Sequence, residues 1–597
     1  MIEPRLYRAA FLPALLALIV AAFSLEDRPA PLPQALAADI LFQGRTATVN
    51  ASRLAAEFPD RRPGSTGDRA VGLRVAHSFA GSGFTTVLDH FHDAGGRPLT
   101  NVVGRRAGAS RHQIVVVAAR DAGSVPDATS SAADTAALTE IARVLRGTPS
   151  HKTITLASVD GSTLGELGIH RLLRKLPDRN MVEAVLVLSN LGAPGPRVPP
   201  LQGWSNGSQR AGVGLERTAA LSESEEFGRE PHSSVAAAQM IRIAFPVGVG
   251  AQGPLLEAGA DTVRFSASGE LPPPKDKRGI SSISPDRLGS LGRAALRTVF
   301  AIDQSPGPPG RGQTTYVTVA NKLLPGWAIG LVAMALILPA LIASIDGFAR
   351  ARRRREQVGR SARWVLTGVL AVVAGLVLAK LIVVVGIVAS PPESPVAPEL
   401  RPVHGGDLAV MAVVAGVVAL AGWLGSRMAR GRGDRRLDLA APGAGCAVAL
   451  VLSCLVFAVW FVNPYAALTL VPALHLWLIA AMGRMPDRGP TPPALVGLGL
   501  LPLVAVVLFY MSRLSLNPIE GLWYLFLLVT GGAVGVAAAL FACVFVGVFA
   551  CLVSILVARA RRPPVAKVEE PRRPAVFGPG GYAGPGSLGG TESALRR

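Results

Sequence analysis

The chain has 597 residues, half of them hydrophobic, with a formal charge of +20 and only four cysteines. That length exceeds one ordinary domain. The cysteines (Cys446, Cys454, Cys543 and Cys551) all lie inside apolar runs and read as small buried hydrophobes, which excludes a disulfide framework from the polar first half. The charge does not point to nucleic acid: arginines cluster at the ends of apolar runs (350–363, 427–436, 559–562), as in cytoplasmic loops of membrane proteins, and no basic stripe with interleaved aromatics accompanies them.

In chain order, the first apolar run is "AAFLPALLALIVAAFSL" (9–25), preceded by Arg5 and Arg8. A small-residue "ALA" motif at 35–37 is separated from it by Glu26, Asp27, Arg28 and three prolines, so residues 1–25 read as an uncleaved signal-anchor helix. Residues 26–303 read as an exported α/β domain. Its first predicted helix is 69–83, after a "STGD" start that resembles a capping box. "FTTVLDHF", "TNVVGRR" and "HQIVVVAAR" are strand-like, 131–147 is helical, and 152–159 is a buried strand. Leu164–Leu176 is helical, 182–190 a buried strand, 233–243 a helix and "DTVRFSAS" a strand. A helix over 284–303, with Ser284 as N-cap and Pro285 in its first turn, closes the domain. Helices alternating with apolar strands predict a mainly parallel central sheet flanked by helices, with its site beyond the strand C-termini. The polar stretch 193–231 reads as loops able to fill that site.

"SPGPPGRGQ" (305–313) marks 304–323 as a Pro/Gly linker. Residues 324–558 read as an all-α polytopic membrane bundle of about seven helices, with runs near 325–346, 364–390, 408–426, 441–462, 465–482, 493–512 and 533–557. "LWYLFLLVT" (522–530) reads as interfacial or re-entrant. Counting the anchor gives eight spans, with the arginine clusters and C-terminus in the cytoplasm and residues 26–323 outside. Residues 559–597, rich in Pro, Gly and charge, read as a disordered cytoplasmic tail. Lys380 is placed to snorkel outward, and His475 reads as an interhelical hydrogen bonder. No Asp or Glu lies deep in any predicted span, which counts against ion-coupled transport.

Several segments of the domain together resemble the co-catalytic zinc aminopeptidases, metallopeptidase family 28. "FPDRRPGSTGDRAVGLRVAHSFAGSGF" (58–84) resembles the R-x-P-G-S segment, helix and G-[FY] strand that open that family. "TNVVGRRAG", "IVVVAARDAGS", "SSAADTAALTEIARVL", "VDGSTLGELGI" and "VLVLSNLG" follow in the family's order, covering most of 51–303. The resemblance implies a zinc-aminopeptidase-like fold. In such enzymes two zinc ions are held by histidines and carboxylates, and a glutamate activates the bridging water.

The same resemblance places the first ligand histidine on Ala119, the bridging aspartate on Ser130, the base and ligand glutamates on Ser162 and Thr163, and the third carboxylate on Ser189. No histidine stands in 245–260 for the last ligand, and only the orienting Asp121 remains. A hydroxyl neither neutralises a dication nor acts unaided as a base near neutral pH. Two carboxylates nearby read as capping partners: Glu166 with Thr163, and Asp134 with Ser131. His90 and His92 share a strand face and offer a metal pair, but with no third ligand nearby they read as the polar face of an edge strand. His112, His151 and His232 read as surface loop residues, and "DGSTLG" is not a nucleophile elbow, with His170 in the following helix a weak base candidate.

The architecture resembles membrane-bound family-28 peptidases and the peptidase-like subunit of the glycosylphosphatidylinositol transamidase. The leading expectation is a degenerate, non-catalytic pseudopeptidase with no cofactor, embedded in the bilayer and binding a polypeptide or partner protein. An active aminopeptidase with relocated ligands and zinc is the alternative, and a transport or lipid-handling bundle with a receptor domain is the third. High arginine and low lysine usage fits a GC-rich bacterial genome, hence the plasma membrane; the endoplasmic reticulum is the eukaryotic equivalent.

Overall fold

The structure, a computed structural model, describes residues 3–34, 41–177, 179–307, 312–431, 437–482 and 489–562. The small-residue motif at 35–37, part of the cluster 427–436 and the tail beyond 562 lie outside these residues.

Helices α1 (Pro4–Ala9) and α2 (Leu12–Phe23) come first, then the short strand β1 (Glu26–Asp27). The α/β domain continues with α3 (Gly44–Glu57), α4 (Thr66–Gly81), β2 (Thr85–His92), β3 (Pro98–Arg106) and β4 (Ser110–Ala119). Next come α5 (Ala133–Leu145), β5 (Lys152–Val159), α6 (Leu167–Lys175) and β6 (Val182–Ser189). The domain closes with α7 (Val213–Phe227), α8 (Ala236–Ala244), α9 (Gln252–Glu257), β7 (Thr262–Ser266) and α10 (Pro285–Gln304).

The sheet order is β2-β3-β5-β4-β6-β7. β5, β4, β6 and β7 run parallel, whereas β2 and β3 pair antiparallel, as do β3 and β5. The sheet is therefore mixed, with a parallel centre. The turn between β2 and β3, closed by Arg97 N donating to Asp93 Oδ1 at 2.7 Å, is too short for a crossover and must reverse the chain. Residues alternate across β4 because strand side chains have a period of two. Ile114, Val116 and Ala118 join a core with α3, α4, α5, α7 and α10, while Val115 and Val117 pack on α6 and α9. From β4 the chain passes to β5 on one side and then to β6 on the other. That reversal opens a crevice at the C-terminal ends of these strands.

Several local expectations change. Ser284 does cap α10, its side chain accepting from Arg287 N, with Pro285 in the first turn. Ser65 caps α4 by accepting from Asp68 N, but the Asp68 carboxylate turns inward to Arg120 at 2.8 Å, so the box is half formed. The stretch 193–231 contains α7, whose buried face mixes Leu215 and Ala219 with the polar Thr218, Ser222 and Glu223 and so shows no apolar stripe. His112 is not a loop residue: it lies in β4 with Nδ1 2.9 Å from Glu183 Oε1.

The expected linker 304–323 holds most of a hairpin, β8 (Tyr316–Val319) and β9 (Lys322–Pro325), to which β1 adds a third strand. The β-branched run around Tyr316 favours strand over linker, and the Tyr316 hydroxyl donates to Glu216 at 2.6 Å.

The remaining helices are α11 (Gly326–Arg353), α12 (Val358–Val384), α13 (Gly405–Arg430), α14 (Pro442–Val462), α15 (Pro464–Met482), α16 (Thr491–Arg513), α17 (Pro518–Gly531) and α18 (Val536–Ala560). Among the described residues, eight helices are long and apolar enough to cross a membrane: Arg5–Phe23 and each of these except the 14-residue α17. The chain is a multi-pass membrane protein. Close approaches at small residues hold the bundle: a Cβ on Gly547 would stand 2.7 Å from the Val369 backbone, and one on Gly499 2.6 Å from Trp477. His475 joins helices, with Nδ1 2.6 Å from Tyr7 Oη and Nε2 2.9 Å from Leu336 O. Lys380 Nζ donates to Thr530 O, closing α17 onto α12. Cys446, Cys543 and Cys551 are buried; Cys454 faces outward from α14.

The domain rests directly on one end of the bundle. Asn463 Nδ2 donates to Ile243 O at 2.8 Å, the Tyr510 hydroxyl donates to Phe245 O, and Arg513 lies 3.6 Å from Glu270.

Candidate functional site

A cavity of about 120 Å³ opens at the C-terminal ends of the parallel strands. Ala119, Asp121, Ser130, Ser162, Thr163 and Ser189 all line it, together with Asp134 and Glu166. His90 and His92 do not. Both are exposed on β2, at the sheet's edge, and His90 Nδ1 lies 3.0 Å from Thr100 Oγ1.

Two buried carboxylates hold the loops around the cavity, each in the same way. Asp121, just beyond β4, accepts from Ser162 N at 3.0 Å and from Thr163 N and Oγ1, both at 3.1 Å, fixing the loop after β5. Asp134, in the first turn of α5, accepts from Asn190 N and Leu191 N, both at 2.8 Å, fixing the loop after β6. Burial pushes the Asp134 carboxyl up to about 8, against the pull of those two amides. The capping box expected between Ser131 and Asp134 is therefore absent. Ser131 Oγ instead donates to Asp127 Oδ2 at 3.0 Å and accepts from Arg61 Nη2 at 3.0 Å. Arg61, from the R-x-P-G-S segment, is fully buried and also donates to the carbonyls of Phe58, Pro126 and Asp127, tying that segment to the cavity floor.

Glu166 is not a capping partner of Thr163 either. It is itself the residue before α6, at φ 61°, and makes no side-chain cap. Its carboxyl is buried and pushed up to about 8 by desolvation, with the nearby Asp121 charge adding to the rise. Glu166 Oε2 and Ser130 Oγ are both buried without a hydrogen-bond partner among the described residues. Asp127, Glu166 and Asn190, all lining the cavity, have positive φ, which side chains disfavour. Such strain gathers where surrounding structure imposes a shape.

Arg264 of β7 is the central charge that sequence reasoning missed. Its guanidinium is buried at the cavity wall, donating to Ser189 Oγ at 2.8 Å and Val249 O at 2.8 Å. Burial lowers its pKa, opposed by the charges of Glu166, Glu270 and Asp134. Glu270 in turn pairs with Arg242 of α8, accepts from Val249 N at 3.1 Å and faces Arg513 of α16. A lone arginine in the middle of the apolar strand "DTVRFSAS" was the available signal.

Beside the cavity, buried Arg120 lies 2.8 Å from Asp68 and 3.4 Å from Asp160, whose carboxyl burial pushes up to about 8. Asp160 Oδ2 also accepts from Thr100 N at 3.0 Å, so this group belongs to the framework. His170 Nε2 lies 2.9 Å from Ser394 Oγ and is engaged there. The outer wall of the cavity comes not from 193–231 but from the loop between α12 and α13, including Pro395–Ala397, Glu399 and Leu400. Among the described residues, no group of three or more His, Cys, Asp and Glu side chains is arranged to hold a metal ion.

No protein-family model and no curated protein matches the chain. Among solved structures it is similar to BSAP, a zinc aminopeptidase from Bacillus subtilis, at 14% identity and TM-score 0.38 over 43% of this chain and 95% of that one. It is also similar to a glutaminyl cyclase from an Acidobacteriales bacterium, at 17% identity and TM-score 0.37 over 47% and 99%. A Zn-dependent exopeptidase from Parabacteroides distasonis aligns at 14% identity and TM-score 0.35 over 43% and 98%.

Proposed function

We propose that this is a pseudopeptidase of the plasma membrane, whose α/β domain binds a polypeptide or partner protein without hydrolysing it. The observation that carries this reading is the Arg264 guanidinium at the cavity wall, bonded to Ser189 and facing the charges of Glu166, Glu270 and Asp134. A fixed, buried cation at the wall disfavours a metal dication beside it. The zinc implied by the resemblance does not fit these donors. No histidine lines the cavity, Asp121 and Asp134 are engaged by backbone amides, and hydroxyls stand at 130, 162, 163 and 189. The domain lies on the outer side in this reading, with the C-terminus cytoplasmic. Supporting it, Arg350–Arg353, Arg427–Arg430 and Arg559–Arg562 end α11, α13 and α18, helices that begin on the domain's side of the bundle.

The test is zinc content and aminopeptidase turnover of the full-length protein in detergent, after zinc loading and dialysis. The expected result is no retained zinc and no turnover. About two zinc ions per chain with turnover would establish the relocated-ligand enzyme instead.

A further inference from the structure

The loop that walls the cavity is unusual in composition. Between α12 and α13 the chain reads S-P-P-E-S-P-V-A-P-E-L (390–400), four prolines and two glutamates in eleven residues. The domain grips it at three separate points. Pro392 packs on Gly165, where φ is 97° and a Cβ would stand 2.8 Å from Pro392 Cβ. Ser394 Oγ lies 2.9 Å from His170 Nε2. Glu399 pairs with Arg278, a buried side chain whose Nε also donates to Pro273 O at 2.6 Å.

The bundle holds the same segment from behind. The Tyr524 hydroxyl donates to Val396 O at 2.9 Å, and Trp523 Nε1 donates to Arg401 O at 3.1 Å. On that side a second cavity of about 250 Å³ is lined by Pro398, Leu516, Trp523 and Tyr524. The strap thus lies between two spaces. It also leaves the deeper polar groups unanswered, since Ser130 Oγ and Glu166 Oε2 find no partner in it.

Proline-rich chain is pre-extended and loses little conformational entropy when bound, which makes it a recurrent ligand of grooves. A segment tethered beside its site competes at a high effective concentration. We propose that the cleft recognises an extended, proline-rich, acidic polypeptide segment, and that residues 391–400 are its built-in competitor, displaced from the cleft when such a segment arrives. The proposal rests on the reading of the domain as a polypeptide-binding pseudopeptidase. It adds to that reading a ligand chemistry and a means of control.

The experiment uses full-length protein in detergent and a fluorescein-labelled peptide of sequence SPPESPVAPEL, with binding read by anisotropy. Intact protein is expected to bind it weakly. Glu399→Ala frees Arg278 and loosens the strap, so the apparent affinity should rise about tenfold, as the open fraction rises. Adding Arg278→Ala should abolish that gain. Replacing 391–400 with a Gly/Ser segment of equal length should raise affinity further. Equal affinity for intact and Glu399→Ala protein, or a gain that survives Arg278→Ala, overturns the proposal.

A random-sequence peptide pool of the same length, tested in parallel, separates the two readings. Capture of the pool but not of this peptide by the strap-replaced protein overturns the proposal and leaves polypeptide binding standing. Capture of neither by protein with an unchanged unfolding midpoint overturns both. If the strap replacement does not fold, Glu399→Ala and the double variant decide the matter as point changes in an otherwise intact chain.

Discussion

The two ends of the central sheet treat buried charge differently. At the N-terminal ends of the parallel strands, Lys152 and Glu183 pair directly, and His112 Nδ1 lies 2.9 Å from Glu183. Asp303 there accepts from Lys152 N at 2.7 Å and His151 N at 3.2 Å. Charges at that end meet opposite charges or amides. At the C-terminal ends, Asp121 and Asp134 hold loops, Arg264 donates to Ser189 Oγ and Val249 O, and Glu166 Oε2 and Ser130 Oγ meet no partner among the described residues. Buried polar groups are normally satisfied; unpartnered atoms also occur at Gln113 and Glu223, but those of Glu166 and Ser130 line a cavity. The closed end supports the fold; the open end keeps a polar cavity.

The largest effect that sharpens this contrast is expected from Arg264→Met. Removing the guanidinium orphans Ser189 Oγ and the Val249 carbonyl and takes a cation from beside Glu270, which should cost about 4 kcal/mol. At the closed end, Lys152→Met with Glu183→Leu should be close to neutral, because both charges leave together. Chemical unfolding of the detergent-solubilised protein measures both. A cost below about 1 kcal/mol for Arg264→Met would erase the distinction between the two ends. Asp134→Ala comes next: it orphans the Asn190 and Leu191 amides and should cost about 3 kcal/mol in the same measurement.

A pH series tests the open end with a smaller effect. Burial pushes the Glu166 and Asp134 carboxyls up to about 8, above their values in the unfolded chain. The native state therefore keeps protons that the unfolded state releases. Their stabilisation is full below about pH 4, where both states are protonated, and is lost as pH rises toward about 8. Wild-type stability should fall between pH 5 and pH 8 on the order of the linked proton uptake, and Glu166→Gln should flatten that slope. An unchanged slope in Glu166→Gln would mean that the cavity is wetter than its closed walls suggest.

What the sequence revealed follows from the range over which each signal acts. The strand 152–159 and all eight candidate spans are long apolar runs, and the Ser284–Pro285 start is a contact within one turn; all are local. The fold of the domain came from resemblance, and the structure brings Ala119, Asp121, Ser130, Ser162, Thr163 and Ser189 to one cavity. The capping boxes at Thr163–Glu166 and Ser131–Asp134 failed because loops distant in sequence compete for these side chains. Asp134 meets amides from 190 and 191, over fifty residues on. The strap was invisible for the same reason: no periodicity in a loop between two membrane helices says that it will dock on a domain more than a hundred residues earlier.

The smallest expected effect concerns His90 and His92. They share the outer face of edge strand β2, opposite to Asp89, which Arg171 holds with contacts of 2.8 and 2.6 Å. A metal at the pair would need a third ligand. Of the two neighbouring carboxylates, Asp89 points to the other face and is already engaged, and Asp93 is held in the turn by the Arg97 amide. Polar side chains on an edge strand have a sufficient purpose in discouraging strand addition by another chain. Replacing both histidines by alanine should therefore shift stability by no more than about 0.5 kcal/mol and leave zinc content unchanged. A loss of bound zinc in that double variant would move the metal chemistry from the crevice to the sheet's edge. The two ends of the sheet would then no longer be the comparison that separates framework from function.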